Sequence, residues 1–165
     1  MADDELVLRT PRLVLTPLDA QDESDHALAS GRADDAARDA RSATRHWLRH
    51  GFGLWAVRDR GDGSFLGVAE LHVAGPGIDG IAPDEVEAGW WVTESRRDEG
   101  IATEAMGAAL EDLWARTETE CIAAYIAPEN AASHRVAAKL GFVVRGPGRG
   151  RSLEPMTVYE LHKRV

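Results

Sequence analysis

The segment 86–127 changes its hydrophobic period twice, and this change constrains the fold more than any other feature of the chain. Residues 86–93 (VEAGWWVT) have the β-branched and aromatic content of a strand. Between 100 and 116, apolar residues recur every three or four positions, which is typical of an amphipathic helix. CIAAYIA at 121–127 then has the length and apolar content of a buried strand. Because crossovers between parallel strands are almost always right-handed, we expect a right-handed β-α-β unit here.

Further strand and helix patterns flank this unit. Strands are predicted at 12–18, 53–59 and 64–73, helices at 19–30, 35–50 and 130–140, and a terminal hairpin around the glycine-rich loop GPGRGRSLEP. Asp19 is the expected N-cap of the first helix, and Gly51 and Gly141 are expected to end the other two. Glu104 and Glu111 are expected to point away from the core. Short links predict antiparallel neighbours, so the fold class is α/β (α+β), with a mixed, mostly antiparallel twisted sheet and helices on both faces.

Composition narrows the classes of function. A chain of 165 residues with 44% hydrophobic content fits one domain spanning 1–165. The net charge of −9 repels a nucleic-acid backbone, and the sequence has no apolar run of membrane-spanning length. The N-terminus MADDELVLRT lacks the basic and apolar regions of a signal peptide, so a cytoplasmic protein is expected. The single cysteine, Cys121, precludes an internal disulfide and a multi-cysteine zinc site.

The stretch SRRDEGIATEAM, residues 95–106, is typical of an anion-binding loop. It lies where a predicted strand gives way to a predicted helix, and helix N-termini present free amide N–H groups and partial positive charge. Gly100 lets the backbone approach a ligand, and two arginines precede it. A phosphate group is the expected partner. The chain has neither GxxxxGK[ST] nor GxGxxG, which argues against nucleotide hydrolysis and dinucleotide binding.

Together with a second motif, this loop resembles the GNAT superfamily of acetyl-CoA-dependent N-acetyltransferases. The motifs are Arg97-x-x-Gly100-x-Ala102, Asn130-x-x-Ser133 and Lys139-Leu140-Gly141-Phe142. The opening LRTPRLVLTPLDAQD and the segments GFGLWAV and VEAGWWV are similar to its ribosomal-protein-alanine (RimJ/RimL-like) branch. The resemblance implies transfer of an acetyl group to a primary amine, either a small molecule or a protein N-terminus. It implies no metal, and dimers are common among similar proteins.

The resemblance also implies a set of residues that bind coenzyme A. Its pyrophosphate would lie on the N–H groups of the loop, its pantetheine arm would pair with the preceding strand, and the thioester would enter where strands 86–93 and 121–126 splay apart. Asn130 would hydrogen-bond the pantetheine, and Ser133 would lie near the sulfur. The full set of expected cofactor-binding residues is Trp91, Val92, Thr93, Arg96, Arg97, Asp98, Glu99, Gly100, Ile101, Ala102, Thr103, Asn130 and Ser133.

The expected reaction is direct attack of an amine on the thioester, without a covalent enzyme intermediate. Glu87 is the expected general base, with Glu70 and His72 as alternatives acting through a water molecule. Replacing Glu87 by glutamine should lower turnover mainly below neutral pH. Many superfamily members carry a tyrosine at position 137 that protonates the departing thiolate, but this chain has Ala137. Ser133 or water would take that role.

Two alternatives remain open at this point. Without an acid at 137, the chain fits a non-catalytic acetyl-CoA sensor or structural domain as well as an enzyme. An unrelated nucleotide-binding α/β protein is the third reading, and it requires tighter binding of ATP or NAD than of coenzyme A. His46 and His50 have a helical spacing that metals use, although lining an acceptor pocket suits them better. Arg149 and Arg151 could meet an acidic substrate group, while a solvated loop explains them as well.

Overall fold

Residues 6–164 are described by a computed structural model, and the acidic stretch 1–5, on which the signal-peptide argument depends, lies outside this range. The described chain forms one eight-stranded sheet with four α-helices. In chain order these elements are β1 Leu8–Arg9, β2 Leu13–Pro17, α1 Glu23–Ser30, α2 Ala33–His50, β3 Leu54–Asp59, β4 Phe65–Val73, β5 Val86–Val92, α3 Ile101–Arg116, β6 Cys121–Ile126, α4 Ala131–Leu140, β7 Val143–Arg149 and β8 Pro155–His162.

The strands follow the order β1-β2-β3-β4-β5-β6-β8-β7, and every neighbouring pair is antiparallel except β5 and β6. The predicted β-α-β unit is therefore present, with α3 as its crossover. The parallel pairing is short, because it joins only Val86 with Ile122 and Glu87 with Ala123. Beyond these residues β5 and β6 separate, and a cleft opens at their carboxyl ends.

Helices cover both faces of the sheet, as the sequence predicted. On one face, Met106, Ala109 and Leu113 of α3 join the main core, and Ala137 of α4 packs there too. On the other face, Ala43 of α2 packs with Leu18, Ala56 and Val68 in a second cluster. The alternation of buried residues along β3 explains this division, since Trp55 and Val57 face α3 while Ala56 faces α2.

The predicted helix boundaries agree with the structure to within a few residues. Asp19 caps a short 3-10 turn, Ala20–Asp22, with its side chain accepting a hydrogen bond from the Gln21 N–H at 2.7 Å. Gly51 and Gly141 both adopt left-handed conformations at helix C-termini. A left-handed conformation favours glycine because in any other residue the Cβ atom would crowd the adjacent backbone.

Glu104 lies outside the apolar core, as expected, and its carboxylate accepts hydrogen bonds from Thr10 Oγ1 and from Arg12, whose Nε lies 2.6 Å away. One expectation is wrong: the glycine-rich stretch before the last strand is not a loop throughout, because β7 continues to Arg149 and pairs with β8. Gly148 is required there by close packing, since a Cβ atom would lie 2.3 Å from the carbonyl oxygen of Asp79. Glu111 is exposed, as expected.

Candidate active site

The anion-binding loop precedes α3 and leaves its N-terminus uncapped. Gly100 is the N-cap in a left-handed conformation, with φ +80°, and no side chain accepts a hydrogen bond at this cap. The first intrahelical bond runs from the Glu104 N–H to the Gly100 carbonyl at 3.1 Å. The amide groups of residues 101–103 therefore have no partner within the helix. They point, with the positive end of the helix dipole, toward the mouth of the cleft.

The two arginines of the loop have different surroundings. Arg96 is held by Asp59, at 3.1 Å, and by Glu99, at 2.9 Å. Arg97 has its Nε 3.3 Å from the carbonyl oxygen of Val92, and it lines the cleft. The Arg96 side chain is thus already committed to two carboxylates, whereas Arg97 is better placed to meet an anion.

A residue that the sequence did not single out braces this loop. Arg12 donates from Nη1 to the Glu99 carbonyl at 2.9 Å and from Nε to the Glu104 carboxylate at 2.6 Å. It thereby joins the residue just before β2 to both sides of the turn at Gly100. These hydrogen bonds join residues about 90 positions apart in the sequence. Such long-range contacts leave no local sequence signal, so only the fold shows the role of Arg12.

We expect Arg12→Ala to raise the KM for acetyl-CoA about 3- to 10-fold with little change in kcat. A charge-assisted hydrogen bond contributes about 1.5–3 kcal/mol, but half of the Arg12 side chain is exposed and solvent screens part of that energy. Steady-state kinetics with varied acetyl-CoA measures the effect. Arg9→Ala, on an exposed position of the adjacent strand, is the matched control. A change in kcat with an unaltered KM would contradict a role in positioning the loop.

Two cavities meet where β5 and β6 separate. The first, of about 460 Å³, runs from the anion-binding loop past Trp91 and Val92 to α4 and is called the loop cleft here. The second, of about 310 Å³, lies on the side of the sheet that α2 covers and is called the carboxylate pocket. Three residues line both cavities: Trp90, Asn130 and Ser133. A ligand in the loop cleft and one in the carboxylate pocket would therefore touch at these residues.

The cleft residues come from strand and helix ends. Asn130 caps α4, with its Oδ1 accepting from the Ser133 N–H at 3.1 Å, so its amide NH₂ is left to donate elsewhere. Trp90 packs toward Phe142, while Trp91 points to the opposite face and stacks on His26 at 5.1 Å. The structure thus brings the expected residues of the loop, of β5 and of α4 around one cleft. Thr93 and Glu99 do not line it, although both belong to the segment that shapes it.

The carboxylate pocket contains two acids whose pKa values are raised, the buried Glu87 and the partly exposed Glu70. Glu87 is only 5% exposed, and burial raises its pKa to about 7. Glu70 lies on β4 opposite Gly89, and burial, followed by the charges of Asp39 and Glu87, raises its pKa to about 7 as well. Gly89 keeps this pocket open, because a Cβ atom there would lie 3.3 Å from the Glu70 carboxylate. Near neutral pH both acids can exchange protons.

His72 is paired with Glu87 across β4 and β5, and its Nε2 lies 3.6 Å from Glu87 Oε2. Burial, assisted by His46 and Arg151, lowers the pKa of His72 to about 4. The imidazole is therefore neutral at pH 7 and offers no counter-charge to Glu87. Among residues 6–164, Glu87 Oε2 has no hydrogen-bond donor. In its ionised form this oxygen is therefore free to accept a proton from a ligand.

Several other polar residues near the site, among them the candidates His46 and Arg151, have structural roles. His46 donates from Nδ1 to the Phe52 carbonyl at 2.7 Å and accepts at Nε2 from the Val73 N–H at 3.0 Å, which leaves no nitrogen for a metal. His134 contacts Tyr159 Oη and the Ala127 carbonyl. Arg151 donates to the Ala74 carbonyl at 2.8 Å and lies 3.4 Å from Tyr125 Oη. Tyr125 and Met156 line the carboxylate pocket and were not anticipated, since each is one residue in an ordinary strand pattern.

Within the described part of the chain, no helix combines the length and apolar character needed to cross a bilayer.

A search of curated proteins found no match to this sequence. Solved structures do match. A protein from Bordetella pertussis assigned to the GNAT acetyltransferases is 25% identical, with a TM-score of 0.82 over 93% of this chain and 98% of that one.

Two further matches are more distant in sequence and show the fold alone. RimJ of Mycobacterium smegmatis, in complex with CoA-disulfide, is 22% identical, with a TM-score of 0.69 over 91% of this chain and 81% of that one. RimL, described as a ribosomal L7/L12 alpha-N-protein acetyltransferase, is 15% identical, with a TM-score of 0.75 over 96% and 95%. The protein-family model for the acetyltransferase (GNAT) domain matches residues 12–143, which is most of the chain. This protein therefore belongs to the GNAT acetyltransferase family.

Proposed function

We propose that the protein is an acetyl-CoA-dependent N-acetyltransferase that acetylates a primary amine by direct attack on the thioester. The observation that carries this proposal is the junction of the loop cleft and the carboxylate pocket at Trp90, Asn130 and Ser133. One cavity suits a long anionic donor, and the other holds groups that can accept a proton. Holding amine and thioester in line at such a junction can lower the barrier by about 7–11 kcal/mol.

Acetyl-CoA binds in the loop cleft in this proposal. Its diphosphate accepts from the free amides of Ile101, Ala102 and Thr103, with Arg97 beside them. The pantetheine arm lies along β5 between Gly89 and Val92, where β4 pairs with one edge and β6 has already separated from the other. Adding an extended ligand to such a free edge is β-augmentation. The thioester then reaches Asn130 and Ser133.

Glu87 is the general base in this mechanism. Its carboxylate takes the proton of the ammonium group, so that the neutral amine attacks the thioester carbonyl. A backbone N–H of β5 polarises that carbonyl oxygen. Glu70 lines the same pocket and shares the proton through water in this mechanism, and its raised pKa suits that role. The carbon–sulfur bond breaks as the tetrahedral intermediate collapses.

The departing thiolate needs a proton, and the chain supplies no tyrosine at position 137. Ala137 lies on the buried side of α4, fully within the core, and does not line either cavity. The attacking nitrogen must lose a second proton to become an amide, and the Ser133 hydroxyl, at the junction, or a water molecule beside it relays that proton to the thiolate. A coenzyme A thiolate is a comparatively good leaving group, so a weak acid suffices here.

The acceptor in this proposal is the α-amino group of a protein or peptide. RimL is described as an alpha-N-protein acetyltransferase, and it shares the fold. The carboxylate pocket is compatible with this, since two acids favour a cationic group at its entrance. A small-molecule amine is the second candidate, because a cavity of about 310 Å³ also encloses a small ligand.

A thiol-release assay tests the function. The protein is incubated with acetyl-CoA and a panel of amines: peptides with free N-termini, the same peptides with blocked N-termini and a lysine, polyamines and free amino acids. We expect coenzyme A release and a mass increase of one acetyl group on the peptides with free N-termini. Acetyl-CoA binding without thiol release from any amine would instead favour the non-catalytic sensor, which the absence of an acid at Ala137 keeps open.

A further inference from the structure

A second group of chemically reactive side chains lies at the other end of the sheet. Cys121 begins β6, and Glu160 and His162 lie near the end of β8. Cys121 and His162 are direct cross-strand partners, and Glu160 is two residues from His162, so all three side chains project from the same face of the sheet. One ligand atom from each lies within 4.8 Å of the others, and no other such trio of His, Cys, Asp or Glu occurs within residues 6–164.

We propose that Cys121, Glu160 and His162 form a site for a single zinc ion. The three donors, one sulfur, one nitrogen and one oxygen, are those that Zn²⁺ accepts in tetrahedral sites. Magnesium and calcium prefer oxygen donors alone. Three protein ligands leave the fourth position for water or an outside ligand, and His162 is exposed enough to admit one.

The distances between the donor atoms fit a tetrahedral ion. With Zn–N and Zn–O near 2.0 Å and Zn–S near 2.3 Å, a tetrahedron has an N···O edge of about 3.3 Å and an S···N edge of about 3.5 Å. His162 Nε2 lies 3.3 Å from Glu160 Oε1 and 3.9 Å from Cys121 Sγ. All three donor atoms lie within 4.8 Å of one another, so rotation of the side chains, chiefly that of Cys121, is what has to shorten the remaining edges.

Arg145 contacts two of the three proposed ligands, and its Nη2 lies 3.7 Å from Cys121 Sγ, a contact that the ion would replace. Its Nε donates to Glu160 Oε2 at 2.8 Å, which leaves the other oxygen, Oε1, facing His162. Its two terminal nitrogens bind the carboxylate of Glu85, at 2.7 and 3.0 Å, so the arginine charge is already balanced. Hydrogen bonds of this kind hold the ligands of known metal sites in place. Cys121 loses its thiol proton to solvent as the ion binds, and the ion with its thiolate and carboxylate is then neutral.

The zinc site is separate from the proposed acetyl transfer. Cys121 and Tyr125 of the carboxylate pocket are four residue steps apart along β6, a distance of about 13 Å in an extended strand. The ion would tie the first residue of β6 to the end of β8. Its test uses no acetyl donor, so it can fail or succeed without bearing on the acetyltransferase proposal.

Titration of the chelator-treated, full-length protein with Zn²⁺ and with Co²⁺ tests the site. We expect one ion per chain, and a sulfur-to-cobalt charge-transfer band in the Co²⁺ complex. Cys121→Ser should abolish that band, and Cys121→Ser and His162→Ala should each weaken Zn²⁺ binding at least about 100-fold, since even loss of an outer partner costs about 10- to 100-fold. His50→Ala, which removes a histidine from α2, is the matched control and should bind as the wild type does.

Alkylation provides a second measurement, and its main comparison uses the wild-type protein with and without Zn²⁺. Because Cys121 is the only cysteine, the rate of its reaction with iodoacetamide reports on this site alone. One equivalent of Zn²⁺ should slow that reaction at least about tenfold, since a metal-bound thiolate is a poorer nucleophile, and Glu160→Gln should reduce the protection. Stoichiometric Zn²⁺ binding that persists in Cys121→Ser, absence of the cobalt band in the wild type, or unprotected alkylation would each overturn the proposal.

Discussion

Glu87→Gln should lower kcat about tenfold near pH 7.5 with an α-amine acceptor, and at least about 100-fold with a lysine-like amine. An α-amino group with a pKa near 8 is already roughly a tenth neutral at pH 7, whereas a lysine amine is neutral in only about one molecule in 2,500. Removal of the proton by the base therefore contributes less to the rate with an α-amine than with a lysine amine. General bases contribute up to about 10²–10⁴ in rate. Parallel assays on peptides with a free N-terminus and on peptides with a free lysine measure the two effects.

The pH profile of this variant follows from the raised pKa of Glu87. Burial raises that pKa to about 7, so the wild-type carboxyl is mostly protonated at pH 5.5 and cannot act as a base there. The expectation from sequence, a loss mainly below neutral pH, therefore needs correction. The ratio of wild-type to variant kcat should be greatest between about pH 7 and 8, where Glu87 is ionised and the amine is still protonated. An identical pH profile in the variant would exclude Glu87 as the base.

Two further variants, Glu70→Gln and Glu111→Gln, are the controls for the role of Glu87 as the base. If Glu70→Gln carries the larger loss, Glu70 is the base and acts through water. Glu111→Gln, on the exposed side of α3, should leave kcat unchanged.

Because burial raises the folded-state pKa of Glu87, its ionisation opposes folding above about pH 7, and this penalty is absent below about pH 4.5. Glu87→Gln should thus gain up to about 3 kcal/mol of stability at pH 8, less the cost of burying an amide, and a loss of activity cannot then be due to unfolding.

Much of the fold could be predicted because its signals are local. The switch of period between β5, α3 and β6 lies within about 40 residues, and the left-handed glycines Gly51 and Gly141 mark helix ends where they were expected. The error at β7 has a local cause as well. Glycines at 146 and 148 indicate a loop by composition, but Gly148 is needed where the strand passes close to Asp79.

The composition of the site was less predictable, because it depends on register between distant strands. Pairing of β4 with β5 sets Glu70 opposite Gly89 and His72 opposite Glu87, and a shift by one residue would turn all of these side chains to the other face. Tyr125 reaches the same pocket only because β6 lies beside β5. The partners of Glu104 could not be predicted for the same reason, since Thr10 and Arg12 lie more than 90 residues away.

Gly100→Val should weaken acetyl-CoA binding about 100-fold or more. Gly100 has φ +80°, a conformation that costs other residues about 1–2 kcal/mol and branched side chains more. The turn is expected to relieve this strain by rotating, which moves the amides of residues 101–103 away from the diphosphate. Losing two charge-assisted hydrogen bonds of about 1.5–3 kcal/mol each corresponds to at least a 100-fold change in affinity. Calorimetric titration with coenzyme A measures it.

The choice of donor separates loss of the diphosphate contacts from general damage to the protein. S-acetylpantetheine has the thioester and the pantetheine arm but no diphosphate, so Gly100→Val should use it with nearly the wild-type kcat/KM while acetyl-CoA becomes a poor donor. Gly107→Ala, in the same helix, is the matched control: a Cβ atom there meets nothing within 4 Å. It should leave coenzyme A affinity unchanged and add about 0.5–1 kcal/mol of stability. Equal losses with both donors would mean that the substitution disturbs the cleft itself, and undiminished coenzyme A affinity would place the diphosphate away from Gly100.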